Sequence, residues 1–291
     1  MSIMQFAEKV KDRIMGNIDG VTDISIRPTL KNNSVALISL VFVDEKSNIT
    51  PQIHLNPFYE QYEDNSDLDV VSEQIIEIYQ ASRFNSPIDF SFFRDWEQIK
   101  SLVAFKVINT AKNKELLAQI PHQEVMDLSM VFYITLKEGT ILIYNSHLDL
   151  WGIGLEELIY TAKENTPTLR PMKFQSMGKH MFSVMDLEPD EDLDALIEMY
   201  VLSNASGVFG AATMLYPDCM EQIADQLDCN FYLLPSSIHE TIILPENGEH
   251  KVADLVEMVR QVNATVLKEE EILGDNVYFY DKERKEIKVA A

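Results

Sequence analysis

Val131-Phe132-Tyr133-Ile134-Thr135, the turn Lys137-Glu138-Gly139, and Thr140-Ile141-Leu142-Ile143-Tyr144 follow one another in the middle of the chain. Runs this rich in β-branched and aromatic residues read as strands, and a glycine-bearing turn between two of them reads as a hairpin. The hairpin spans 126–136 and 140–144. Upstream, residues 103–109 read as a strand and 112–120 as a short helix. Downstream, Leu155, Leu158, Ile159 and Ala162 recur at helical spacing, which predicts a helix over 155–163 with those residues inward. The passage is a strand, a helix, a hairpin and a closing helix.

The same order recurs towards the C-terminus. Residues 211–216 read as a strand, 217–227 as a helix opened by Pro217, 231–234 and 241–244 as strands, and 252–262 as a helix. Thr241-Ile242-Ile243-Leu244 lies 101 positions after Thr140-Ile141-Leu142-Ile143. The closing helices end at Asn165-Thr166 and Asn263-Ala264, a similar distance apart. The N-terminus shows a looser version. Ile3, Phe6, Ala7, Val10 and Ile14 share a helix face, 21–27 and 35–43 read as strands, and 49–59 reads as an extended insert. A helix over 68–81 follows, with Leu68, Val71, Ile75, Ile78 and Tyr79 on its buried face. The expected fold class is α+β, built from repeated βαββα (helix–hairpin–helix) units, two clear copies and a diverged N-terminal one.

The expected domains are 1–100, an αββα unit with an aromatic connector around Phe90, Phe92, Phe93 and Trp96; 101–184, the central unit; 185–198, a linker; and 199–291, the C-terminal unit with a terminal hairpin. Asp186, Glu188, Asp190, Glu191, Asp192 and Asp194, with no base among them, mark the linker. The terminal hairpin pairs Val277-Tyr278-Phe279-Tyr280 with residues 285–289 and reads as exposed.

Composition bounds the function. Of 291 residues 46% are apolar, enough for a sizeable core, so global disorder is excluded. Against 24 Lys and Arg stand 47 Asp and Glu; the net charge of −23 repels phosphate backbones, so no nucleic-acid partner is expected. The N-terminal helix is amphipathic rather than continuously apolar, so no signal peptide is read there. No apolar run approaches the roughly 20 residues of a spanning helix, so no membrane association is expected. Cys219 and Cys229 sit at opposite ends of a predicted helix, roughly 15 Å apart by its rise, too far for a disulfide. Unpaired cysteines fit a reducing compartment, and the expected location is cytoplasmic.

Two short clusters carry candidate chemistry. Pro235-Ser236-Ser237-Ile238-His239-Glu240 places Ser237 and His239 two residues apart, on one face if the segment is extended, as a serine nucleophile and its base would need. No glycines of a nucleophile elbow flank either serine, and a polar turn between two core strands is the ordinary explanation. Asn145-Ser146-His147-Leu148-Asp149-Leu150-Trp151 offers His147 and Asp149 for acid–base or metal work. There the ordinary explanation is a strand-to-helix connection in which Trp151 packs and Asn145 or Asp149 caps. His122 beside Glu124 reads as a loop histidine. No His-x-x-x-His or Cys-x-x-Cys pair and no phosphate-binding glycine spacing occurs, so no metal and no cofactor is expected.

Taken together, Ile108-Asn109, Pro121-His122, Asn145-Ser146-His147-Leu148 with Trp151, Glu164-Asn165-Thr166-Pro167, Phe209-Gly210-Ala211-Ala212 and the 234–240 segment resemble a bacterial family catalogued as domain of unknown function 5688. The resemblance covers nearly the whole chain. It implies a bacterial cytosolic origin and one recurring architecture, and brings no activity or catalytic residue with it. The favoured expectation is a non-enzymatic protein-binding or regulatory protein with a protein partner, a basic one matching the charge. The alternatives are a serine-dependent hydrolase using Ser237 (or Ser236) with His239, and a binder of small ligands between repeats. Whether the chain is an enzyme stays open at this point.

Overall fold

The computed structural model describes residues 1–290 apart from 46, 48–50, 66, 84–88, 138, 189–196 and 236. Contacts divide it into two units, Met1–Ser91 and Phe92–Ala291.

In the first unit, α1 (Ile3–Ile14) opens with a reciprocal cap: Ser2 Oγ accepts from the Gln5 N–H and Gln5 Oε1 from the Ser2 N–H. Its apolar face is fully buried at Phe6, Ala7, Val10 and Ile14. Strands β1 (Val21–Leu30), β2 (Ala36–Asp44) and β3 (Gln52–His54) form an antiparallel meander. Residues Asn56–Asn65 form α2 where the sequence suggested an extended insert; Pro57 stands in its first turn, where a missing N–H costs nothing. In α3 (Leu68–Ser82) the buried stripe is Val71, Ile75 and Tyr79, at i, i+4 spacing. Ile78, expected inward, lies off that stripe and is 45% exposed. Asp44, buried at the end of β2, accepts from Tyr79 Oη at 2.9 Å and pairs with Arg83 Nη2 at 2.7 Å, which fastens the end of α3 to the sheet.

The second unit begins with α4 (Trp96–Ile99), β4 (Val103–Asn109), α5 (Lys114–Leu117), β5 (His122–Val125), β6 (Leu128–Thr135), β7 (Thr140–Leu142), α6 (Asn145–Trp151) and α7 (Leu155–Leu169). It continues with β8 (Met172–Ser176), α8 (Met177–Val184), β9 (Tyr200–Asn204), α9 (Cys219–Leu227), β10 (Phe231–Leu234), β11 (Thr241–Pro245), α10 (Val252–Thr265), β12 (Tyr278–Asp281) and β13 (Glu286–Val289). One sheet runs β4-β6-β5 with β7 also on β6, and the other runs β13-β12-β10-β11-β9-β8. Every pairing described is antiparallel, and the fold class is α+β. Residues from both sheets, Phe105, Leu128 and Phe132 with Leu202, Phe231 and Tyr278 among them, share one hydrophobic cluster.

The residue-by-residue repeat does not appear as expected. Residues 211–216, read as a strand, belong to a buried 3₁₀ helix, Gly210–Leu215, whose small residues let it thread against β4 and β9. The first strand of that passage is β9 instead. Thr140–Leu142 is a three-residue strand on β6, whereas Thr241–Pro245 lies between β10 and β9, so the two threonine-led runs are not equivalent. What the passages share is an order of pairing: β4-β6-β5 and β9-β11-β10 both place the third strand between the first and second. Other departures are local. Residues 172–176 and 177–184 form β8 and α8, and Leu155, expected inward, is 38% exposed at the start of α7. The terminal hairpin is exposed only along β13, since Tyr278 and Tyr280 of β12 are buried beside β10. Most of the expected acidic linker, 189–196, lies outside the described residues; 185–188 are exposed.

Candidate functional site

One face of the six-stranded sheet enters the main core. The register fixes what lies on the other. Leu234 pairs with Ile242, Ile242 with Val201, and Val201 with Gln175, and residues directly opposite in an antiparallel sheet share a face. This cross-strand row runs from apolar at β10 to polar at β8.

Helix α10 is the cover for the apolar end. Its Leu255 and Val259 bury against Leu234, Leu244 and Val277, a small cluster separate from the main core. One helix does not span four strands, so a groove remains beside it. The groove holds about 190 Å³ and is lined by Met177, Met199, Leu234, Pro235, Ile242, Met258, Val259, Val262 and Asn263. A shallower depression adjoins it through Met199, Leu234 and Met258 and is rimmed by Glu198, Glu249 and His250. Met258, on the outer turn of α10, is 48% exposed. Methionine is unbranched and polarisable, so a wall of three can re-pack around different apolar guests.

The 235–240 segment leaves this groove at Pro235 and turns into β11; Ser236 lies outside the described residues. Ser237 is buried, its N–H donates to Glu240 O at 3.2 Å, and its Oγ accepts from the His239 backbone N–H at 3.0 Å. Ile238 is buried, its N–H donating to Glu271 O at 2.8 Å. The His239 ring stacks on Phe209 (centroids 5.9 Å, planes 10° apart), and its Nδ1 accepts from the Phe209 N–H at 3.2 Å. His239 O accepts from Ser203 Oγ at 2.7 Å. The serine oxygen and the imidazole nitrogen each receive a backbone N–H, and the bond between residues 237 and 239 is backbone to side chain, not side chain to side chain.

His147 lies elsewhere in the second unit. It sits in the first turn of α6, where its Nδ1 accepts from the Tyr144 N–H at 3.1 Å, so this histidine performs the cap expected of Asn145 or Asp149. Its ring meets Phe93 edge-on at 5.0 Å and Trp151 at 5.5 Å, while Trp151 Nε1 donates to Phe93 O at 2.7 Å. Burial among these rings holds its pKa below the ordinary histidine value. Phe93 and Trp96, from the expected aromatic connector, thus pack on the 145–151 segment. His122, read as a loop residue, lies in β5 with Nδ1 donating to Ile120 O at 3.0 Å.

Cys219 and Cys229 are free. Burial pushes the Cys219 thiol up to about 12, so it is a packing group rather than a nucleophile. Among the described residues no group of three or more His, Cys, Asp and Glu is placed to hold a metal ion, and no helix is long and apolar enough to cross a membrane. Sequence reasoning missed the groove because its three methionines come from different stretches of the chain, none of them patterned. The one available signal was Met258, an apolar residue outside the buried stripe of α10.

No curated protein and no solved structure matches the chain. Residues 3–282 match a family profile, and the chain belongs to that family, the family of unknown function DUF5688.

Proposed function

We propose that the chain is a non-enzymatic cytoplasmic binding protein whose methionine-lined groove receives an apolar stretch of a basic partner protein. The observation that carries this reading is the groove: Met177, Met199 and Met258 converge beside α10 on a sheet face that one helix leaves uncovered. Charge selects the occupant. At −23 two copies of the chain repel each other, whereas a basic amphipathic helix is drawn to the groove and its Glu198 and Glu249 rim. The same charge argues against nucleic acid. The hydrolase alternative loses support because Ser237 Oγ and His239 Nδ1 both accept backbone N–H groups instead of facing each other.

The test is fluorescence anisotropy with a labelled synthetic helix that carries leucines on one face and lysines on the other. Saturable binding is expected, weakened about tenfold or more by Met258→Asp, which sets a charge in the apolar wall. Tyr160→Asp, the same charge at an exposed site on α7, should leave affinity within about twofold. No saturable binding, or equal affinity in both variants, overturns the proposal.

A further inference from the structure

At the polar end of the cross-strand row lies a second concavity. It is a cleft of about 270 Å³ between β8, α8, β9 and the 204–207 loop, lined by Lys173, Gln175, His180, Val201, Ser203 and Glu240 among others. Lys173 lies opposite Ser203 in the register, which places its stem on the cleft face. Its ammonium makes no ion pair or hydrogen bond among the described residues, in a chain with about twice as many acids as bases. In the same lining the Glu240 carboxylate lies 3.8 Å from His180 Nε2, beyond hydrogen-bond length, while Gln175 Nε2 lies 3.0 Å from His180 Nδ1. With Gln175 engaged on Nδ1 and no hydrogen bond reaching from Nε2, the Glu240 carboxylate keeps acceptor capacity.

The loop tells which ligands do not fit. Phosphate sites on loops work through free backbone N–H groups. Here the Ala205 N–H donates to Pro171 O, Ser206 to Asn204 Oδ1, Gly207 to Asn204 O, Val208 to Ser206 Oγ and Phe209 to His239 Nδ1. None is left over. The two serines are also committed, Ser203 to His239 O and Ser206 to Asn204 Oδ1, so neither hydroxyl is a free nucleophile. Its volume lies just under the roughly 300–1,000 Å³ of drug-sized pockets. What remains is a small cleft whose lining carries one free cation, Lys173, one carboxylate with spare acceptors, Glu240, and the apolar Val201.

We propose that this cleft binds a small zwitterion of the free α-amino acid class, its carboxylate at Lys173 and its ammonium at Glu240. The site is separate from the groove and stands or falls without it. Isothermal titration calorimetry with each of the twenty free amino acids is the first step. At least one, with a side chain small enough to lie over Val201, should bind. N-acetylation and carboxyl amidation of that ligand should each weaken it about tenfold or more, the worth of a charge-assisted hydrogen bond. Lys173→Met should erase the discrimination against the amide and Glu240→Gln that against the N-acetyl form. Both variants should keep the wild-type melting temperature and the wild-type affinity for the helical peptide, which separates this site from the groove. Absence of binding by all twenty, equal binding of the blocked forms, or unchanged affinity in Lys173→Met overturns the proposal.

Discussion

Two passages of the second unit pair their strands in the same order and finish their edges differently. In the central one the outer edge of β4 is closed by side chains. Thr166 Oγ1, on α7, accepts from the Phe105 N–H at 3.1 Å, and Asn165 Nδ2 donates to Lys100 O at 2.7 Å and Val103 O at 3.2 Å. In the C-terminal one the outer edge of β9 is met by another strand, β8, carrying Lys173 and Gln175. The closing helix there spends its own asparagine elsewhere: Asn263 Nδ2 donates to Gly274 O and Asp275 Oδ1. One edge is stopped by a helix, and the other is extended by a half-covered strand. The groove and the cleft both lie on the extended sheet.

The C-terminal passage should be the more easily broken, because its loops approach each other at backbone distance. A Cβ placed on Gly210 would stand 2.1 Å from Ser203 Oγ, 2.3 Å from His239 O and 2.8 Å from Asn204 N. Two of those three atoms are backbone and the third is hydrogen-bonded in place, so none yields by rotating away. Gly210→Ala should cost about 3 kcal/mol or more, by overpacking and by loss of the Ser203–His239 bond. Urea denaturation measures it. A midpoint shift equivalent to less than about 1 kcal/mol would mean that the loop and turn are not held as described.

The central passage should break at its side-chain seal. Thr166→Val keeps the shape and removes the acceptor, leaving the Phe105 N–H buried without a partner. A loss of about 1–3 kcal/mol is expected, smaller than for Gly210→Ala. If Thr166→Val proves neutral, α7 seals the β4 edge by packing alone and the contrast between the two edges weakens.

Most strands of these passages were legible in the sequence, and the reason is composition. Val103–Asn109, Leu128–Thr135, Phe231–Leu234 and Thr241–Pro245 are dense in β-branched, aromatic or large aliphatic residues. Misreadings arose where tertiary contacts override local preference. Ala211-Ala212-Thr213-Met214 carries a strand-like apolar run, yet the narrow space between β4 and β9 admits a 3₁₀ helix of small residues. Met172–Ser176 has one aromatic residue and no β-branched one, so β8 is a strand through its pairing with β9 and not through propensity. Of the candidate site, the 235–240 segment announced itself by residue type. Its neighbours Lys173, His180 and Met199 did not, because they reach the same sheet face from separate stretches.

The smallest effect expected belongs to the residue with the sharpest chemical reading. Ser237 Oγ accepts one backbone N–H inside a turn whose ends are also joined by the Ser237 N–H to Glu240 O bond. Ser237→Ala removes one neutral hydrogen bond and leaves that closure intact, so it should cost about 1 kcal/mol. A nucleophile would behave differently. Its oxygen would need an imidazole nitrogen within about 3 Å to take its proton, and backbone N–H groups aimed at the developing oxyanion. In this turn the nearest imidazole nitrogen in sequence, His239 Nδ1, is occupied by the Phe209 N–H. A serine-directed fluorophosphonate should therefore label neither the wild type nor Ser237→Ala at position 237. Labelling of the wild type that disappears in the variant would show that the turn opens to release both groups, and the C-terminal passage would then carry chemistry as well as concavities.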